Sequence, residues 1–301
     1  QRKTTQTKRS GYQFLDKWFN EKLDIDIDGA IGQASRNYQQ DLSSPRFQED
    51  NSNEMIDPLN AYNSTIINVR KLWNREFSSS VDKTVFRYHS NITGLKENIR
   101  NYVTYNNQNL VEVDIKSSQP YFSTALFQQN NFTSDSSAHS IDNQRKIVYE
   151  RSNFSLILPS TPHHSQSHSS PSNHCLPAFS SPMFVKFLQK TDKEDINEYI
   201  NLIKKGKLYE RIGSIFQQEN GKNFSRKELK KMVIFPILFS SNHLIGQDTE
   251  KAKAKRVFRK YLPSVYEGFR IIKKKDKKGL ACLLQRMESF MVIEVICRRI
   301  A

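Results

Sequence analysis

Asp114 closes an apolar run, "LVEVDI", and the chain turns at once into "KSSQPYF". A carboxylate at the C-terminal end of a strand, with the carbonyl of Ile115 beside it, offers the hard oxygen ligands that a divalent cation takes. In a basic cleft such a cation would organise phosphates for transfer. A competing reading makes Asp114 a helix cap, its oxygen accepting from the unpaired N–H groups of the helix that follows. Further on, Lys227, Lys231, Phe235 and Phe239 recur every four residues. On a helix they form one slowly drifting face, basic at one end and aromatic at the other. Lysine meets phosphate as a point charge, and rings offer a stacking surface to any base. An ordinary amphipathic helix with a wet basic end would share this pattern. Pro236 falls inside the segment and predicts either a bend there or a different setting of the aromatic end.

Two other groupings carry ligand chemistry. Asp24, Asp26 and Asp28 alternate ahead of Gly29 like the opening of a calcium loop, but Ser35 stands where the bidentate Glu belongs. His163, His164, His168, His174 and Cys175 fall within a Ser- and Pro-rich stretch. Their spacing matches no usual zinc site, and composition favours a surface loop. Cys175, Cys282 and Cys297 are far apart and odd in number, which fits unpaired thiols in a reducing compartment.

The elements that would position these groups read as follows. "YQFLDKWFNEKLDI" has the spacing of an amphipathic helix, residues 36–60 read as a polar linker, and "AYNSTIINVRKLWNREF" is again helical. "TVFRYHSN" leans to β-structure. A helix-like piece then leads through a polar turn at 106–109 to a strand over Leu110–Ile115. From 183 onward the apolar residues recur at helical spacing, with a turn at Gly206 and a stop near Pro263. The last run ends inside a helix and the chain opens on Gln1, so the sequence is expected to be a fragment.

The whole chain bounds these readings. Its 301 residues suffice for two or three domains. With 19 Phe and 12 Tyr it is too aromatic to be disordered. It has only 10 Gly, and no glycine-rich phosphate loop is present. A net charge of +15 attracts polyanions at long range. No stretch is apolar enough to span a bilayer, and no signal peptide is visible. The expected location is the cytoplasm, a nucleoid or a viral particle, without membrane partners.

Segment order adds a resemblance. "VEVDIKSSQPYF" resembles motif A of the family A nucleic-acid polymerases, with its strand, metal-binding Asp, Ser–Gln turn and helix. The DNA polymerases of that group read D-Y-S-Q-x-E-L-R. The single-subunit phage-type RNA polymerases carry a D-x-x-x-S form, which Asp114 and Ser118 match in spacing. "VFRYHSNITGLKENIR" is similar to the segment ahead of motif A, with Arg87 as its arginine. "RKELKKMVIFPILFSSNHLIG" resembles motif B, in either of two registers: Arg226 with Lys230, or Lys227 with Lys231. Helix geometry favours the second. "AKRVFRKYLPSVYEGF" and "LACLLQRMES" are similar to later segments, the last with Gln285 as the minor-groove glutamine.

The resemblance implies an α+β right-hand fold, mostly helical, with a small antiparallel palm sheet. It places an N-terminal helical region at 1–82, a palm segment at 83–129, an insertion at 130–182, helical fingers at 183–272 and a return helix at 273–301. It implies template-directed nucleotidyl transfer with two Mg2+ ions about 3.5–4 Å apart. Asp114 and the Ile115 carbonyl would hold metal. Lys231 would serve the triphosphate. Lys227, Phe235, Phe239, Gln119 and Tyr121 would line the nucleotide, and Arg87, Arg226, Lys230 and Gln285 the template–primer. The second aspartate would lie beyond residue 301, so these residues alone are expected to be inactive. DNA and RNA synthesis both remain open, as does a non-catalytic nucleic-acid binder on the same scaffold.

Overall fold

The computed structural model describes residues 5–8, 10–43, 57–115, 117–128, 149–150, 153–154, 182–191, 193–221, 223–274 and 276–301. The histidine cluster at 163–175 lies outside them. So does most of the expected insertion at 130–182, apart from a strand pair, Tyr149–Glu150 with Asn153–Phe154, and the start of a later helix. The described residues are mostly helical with small sheets, an α+β composition. They form two compact units, residues 1–114 with 291–301, and residues 115–290.

In the first unit, β1 (Thr5–Lys8) pairs parallel with β3 (Glu76–Val81), which pairs antiparallel with β4 (Tyr88–Ser90). A second, antiparallel sheet joins β2 (Leu23–Ile25), β5 (Val103–Tyr105) and β6 (Gln108–Asn109). Helices α2 (Ile27–Leu42) and α3 (Pro58–Trp73) pack together. Their apolar faces close a core with Leu23, Ile25, Val69, Leu72, Phe77, Ile99 and Val103. The expected helical N-terminal region therefore holds three strands besides its helices.

Several local expectations change here. The helix expected over residues 12–25 is one turn, α1 (Gln13–Asp16), followed by β2. Its last residue is a buried acid. The Asp16 carboxylate accepts from the Ser10 N–H and hydroxyl, the Ser79 hydroxyl at 2.6 Å and the Tyr88 hydroxyl at 2.9 Å. A buried carboxylate needs such donors, and they come from distant parts of the chain. The alternating aspartates are divided between β2 and a helix start, where Asp26 caps α2 by accepting from the Gly29 N–H. Residues 36–42, expected in a linker, continue α2.

Leu110–Ile115 is not a strand. Asn106 and Asn107 both take left-handed φ and make the tight turn of the β5–β6 hairpin. The hairpin partner is short, because one-turn helix α4 (Glu97–Arg100) precedes β5. Among the described residues, the chain beyond Asn109 thus has no strand beside it. Val111 and Val113 are each 88 % exposed. Glu112 instead makes a two-oxygen ion pair with Arg100.

The second unit is helical: α5 (Ser118–Thr124), α6 (Pro182–Lys190), α7 (Glu194–Lys204), α8 (Leu208–Asn220), α9 (Arg226–Val233), α10 (Glu250–Tyr261), α11 (Pro263–Ile272) and α12 (Gly279–Phe290). Gly206, with φ +65°, makes the turn between α7 and α8. Pro263 stops α10 and opens α11, where its missing N–H costs nothing. An aromatic cluster fills the interior. Phe127 lies 5.6 Å from Phe269 and 6.3 Å from Tyr199, and Phe258 packs on both partners. Gly268 permits this approach, since a Cβ there would stand 2.7 Å from the Phe127 ring.

Candidate functional site

Helix α9 is built to present its polar face. Ser225 and Glu228 form a reciprocal capping box at its start, satisfying two backbone N–H groups. Leu229 and Val233 are buried, while Arg226, Lys227, Lys230 and Lys231 are exposed. Beyond Val233 the helix widens into a π-helical segment, Ile234–Phe239. Pro236 is the cause we assign. It has no N–H for the carbonyl four residues back, and its ring crowds that carbonyl. A wider turn relieves both, and the Ser240 N–H closes it on the Phe235 carbonyl at 2.8 Å. The bend expected at Pro236 is thus a local widening.

The consequence for the candidate face is direct. Lys227, Lys231 and Phe235 are exposed along one edge of this helix, and Phe239 is half-buried. Phe235 is 47 % exposed, and the Lys251 ammonium sits 4.5 Å over its ring. Such a contact holds a ring in place while leaving one side open. Lys227, Lys230 and Lys231 make no salt bridge among the described residues. Arg226 differs from them. Its guanidinium donates to Glu210 at 2.6 Å and lies over the Tyr209 ring.

Gln119 and Tyr121 sit on α5, which opens from Ser117 in a left-handed conformation, φ 56°. Gln119 is buried. Its Nε2 donates to the Glu288 carboxylate on α12 at 2.7 Å, and its Oε1 has no hydrogen-bond partner among the described residues. Tyr121 is exposed. Burial raises the pKa of the Tyr209 hydroxyl; Ser117 nearby eases its ionisation, though no hydrogen bond of normal geometry joins them. Gln285 is half-buried on α12. Ile115 opens this unit and is half-buried.

The remaining candidates belong to the first unit. Arg87 is exposed at the end of the β3–β4 hairpin loop, which Asp82 holds by accepting from the backbone N–H groups of Thr84, Val85 and Arg87. Asp114 is exposed, not buried, and follows no strand directly. It does not cap α5 either, whose cap position is Ser117. Among the described residues its carboxylate makes no hydrogen bond or ion pair. No group of three or more His, Cys, Asp and Glu that could hold a metal occurs among the described residues.

Sequence reasoning missed two residues with strong chemistry. Lys255 on α10 is fully enclosed, and Lys273 at the end of α11 is 4 % exposed. Burial pulls the Lys273 pKa down to about 7, aided by the nearby Lys255 charge, and that of Lys255 to about 8. Periodicity could have flagged them. Lys255 falls on the buried stripe of Ala252 and Phe258, and Lys273 stands four residues after Phe269. The basic composition hid both.

Among the described residues, no helix is long and apolar enough to cross a membrane. Compared with protein-family models, curated proteins and solved structures, the chain matches none.

Proposed function

We propose that the chain carries the nucleotide-binding elements of a template-directed nucleotidyltransferase of the DNA-polymerase-like kind. The observation that carries this reading is the exposed edge of Lys227 and Lys231 on α9 and Phe235 on the π-helical turn after it, cationic first and aromatic after, with Leu229 and Val233 buried on the other side. Lys231 neutralises an incoming triphosphate, and positioning with charge is most of what phosphoryl chemistry asks of a protein. Phe235 and Phe239 take the base and sugar, in a contact tolerant of base identity. Arg226 is engaged with Glu210, which favours the register in which Lys227 and Lys231 meet the phosphates.

The Asp114 carboxylate is a hard oxygen donor of the type Mg2+ takes and is exposed, so it fits that ion in kind as a single ligand. When bound, Mg2+ would lower the charge on the phosphates and favour in-line attack by a hydroxyl. Gln119 is oriented by Glu288 and keeps a buried acceptor, suited to a hydroxyl or amino group.

One observation favours a second reading. Asp114 stands exposed and ahead of its helix rather than at a strand end, and a non-catalytic nucleic-acid binder requires no carboxylate there. Titration of a fluorescent deoxynucleoside triphosphate with Mg2+ separates the readings. Lys231→Ala should weaken binding about tenfold, the size of one charge-assisted phosphate contact. Asp114→Asn should abolish the Mg2+ dependence. Nucleotide affinity unmoved by both changes would sink the nucleotidyltransferase reading.

A further inference from the structure

Two buried cations converge on the far end of the α9 segment. The Lys273 ammonium donates to the Ile237 carbonyl at 2.6 Å and to the Ser240 carbonyl at 3.2 Å. The Lys255 ammonium donates to the Ser241 carbonyl at 2.5 Å and to the Ser240 hydroxyl at 3.1 Å. That hydroxyl in turn donates to the Pro236 carbonyl. Every one of these bonds ends on the wide turn or on the two residues that follow it. Among the described residues neither ammonium has a carboxylate partner, and both are held by backbone carbonyls and the Ser240 hydroxyl. Cations do favour the carbonyl end of a helix.

As a stability device the arrangement is poor. Burying an ammonium is costly, and burying a second beside it adds repulsion. What the lysines supply that apolar residues cannot is directional bonding to the Ile237 and Ser240 carbonyls, which take no backbone N–H among the described residues, and a second bond to the Ser241 carbonyl, which also accepts from the Leu244 N–H.

We propose that Lys255 and Lys273 are positioning residues for the nucleotide-facing helix, a two-cation clamp that fixes its wide turn and so sets where Phe235 and Phe239 stand. This rests on the function proposed above. Lys273 secures the side of the turn toward α11, and Lys255 the side toward α10. Phe235 precedes Pro236, and Phe239 lies between the two clamped carbonyls of Ile237 and Ser240. Loss of either bond set would let the ring end of the edge move while Lys227 and Lys231, a turn or more earlier, stay where the capping box holds them.

The test uses the full chain, with Lys273→Met, Lys255→Met and Lys231→Ala, well below the unfolding temperature. Amide hydrogen exchange is measured across residues 237–241, and affinity is measured for the fluorescent deoxynucleoside triphosphate with Mg2+. Each clamp variant should speed exchange there about tenfold or more. Each should also weaken the nucleotide about threefold or more. Lys231→Ala should weaken the nucleotide with exchange unchanged. Unaltered exchange in both clamp variants overturns the clamp. Faster exchange with undiminished affinity, while Lys231→Ala still weakens binding, shows a structural role only and overturns the positioning proposal alone. Affinity indifferent to Lys231→Ala overturns the functional reading and this proposal with it. Should the methionine variants fail to fold, Ser240→Ala keeps both lysines, removes one Lys255 bond and is read by the same two measurements.

Discussion

The two buried lysines make the stability of the second unit depend on pH in a direction opposite to that of a lysine in a salt bridge. In the unfolded chain both titrate near their ordinary value of 10.5; folded, they titrate at about 7 and about 8. Below about pH 7 both states hold the protons and folding bears the full cost of burying them. As pH rises through the folded values, the folded state sheds protons that the unfolded state keeps, so stability increases, and the gain is complete only above the unfolded value. Each tenfold change in proton affinity corresponds to about 1.4 kcal/mol. Between about pH 7 and pH 9 the linkage relation gives about 2 kcal/mol from Lys273 and about 1 from Lys255, taken as independent groups. They titrate as a coupled pair, so the sum is the meaningful figure. The assay is urea unfolding followed by far-UV ellipticity, which the helices of this unit dominate. Trp18 and Trp73 both lie in the first unit, so tryptophan fluorescence follows that unit separately. The ellipticity midpoint should rise by about 1 M urea or more over this range. Lys273→Met should remove more than half of the rise. A midpoint that falls, or that rises equally in wild type and Lys273→Met, would refute the reasoning.

Three other outcomes follow from the packing. Gly268→Ala drives a methyl group into the Phe127 ring and should cost about 1–3 kcal/mol, seen as a lower midpoint of the ellipticity transition. Asp16→Asn leaves buried donors from Ser10, Ser79 and Tyr88 short of acceptors and should cost about 1–3 kcal/mol, seen as a lower midpoint of the tryptophan transition. Ser225→Ala removes the capping box and should cost about 1 kcal/mol, seen as faster amide exchange in the first turn of α9.

Much of the second unit was legible because its information is local. The stripe of Ile196, Tyr199 and Ile203, the turn at Gly206 and the stop at Pro263 each follow from spacing or from one residue's backbone limits. The first unit was less legible because long-range partners decide it. Nothing near Asp16 in the sequence announces Ser79 or Tyr88, and the pairing of β1 with β3 joins segments about seventy residues apart. Leu110–Ile115 has a strand's composition but needs a neighbour, and a local pattern cannot say whether one exists. For the candidate site, the spacing of Lys227, Lys231 and Phe235 was readable. The widening at Pro236 and the burial of Lys255 and Lys273 were not, since one depends on how the backbone resolves a forbidden bond and the other on packing among helices.

The bare stretch after the β5–β6 hairpin has a practical consequence. It offers two exposed valines and a backbone that pairs with no strand among the described residues, and an open segment of that kind is a place where copies of the chain meet. Concentrated samples should therefore cloud first through this stretch, at a rate that climbs with concentration. A lysine in place of Val111 or Val113 should keep such samples clear without touching either interior.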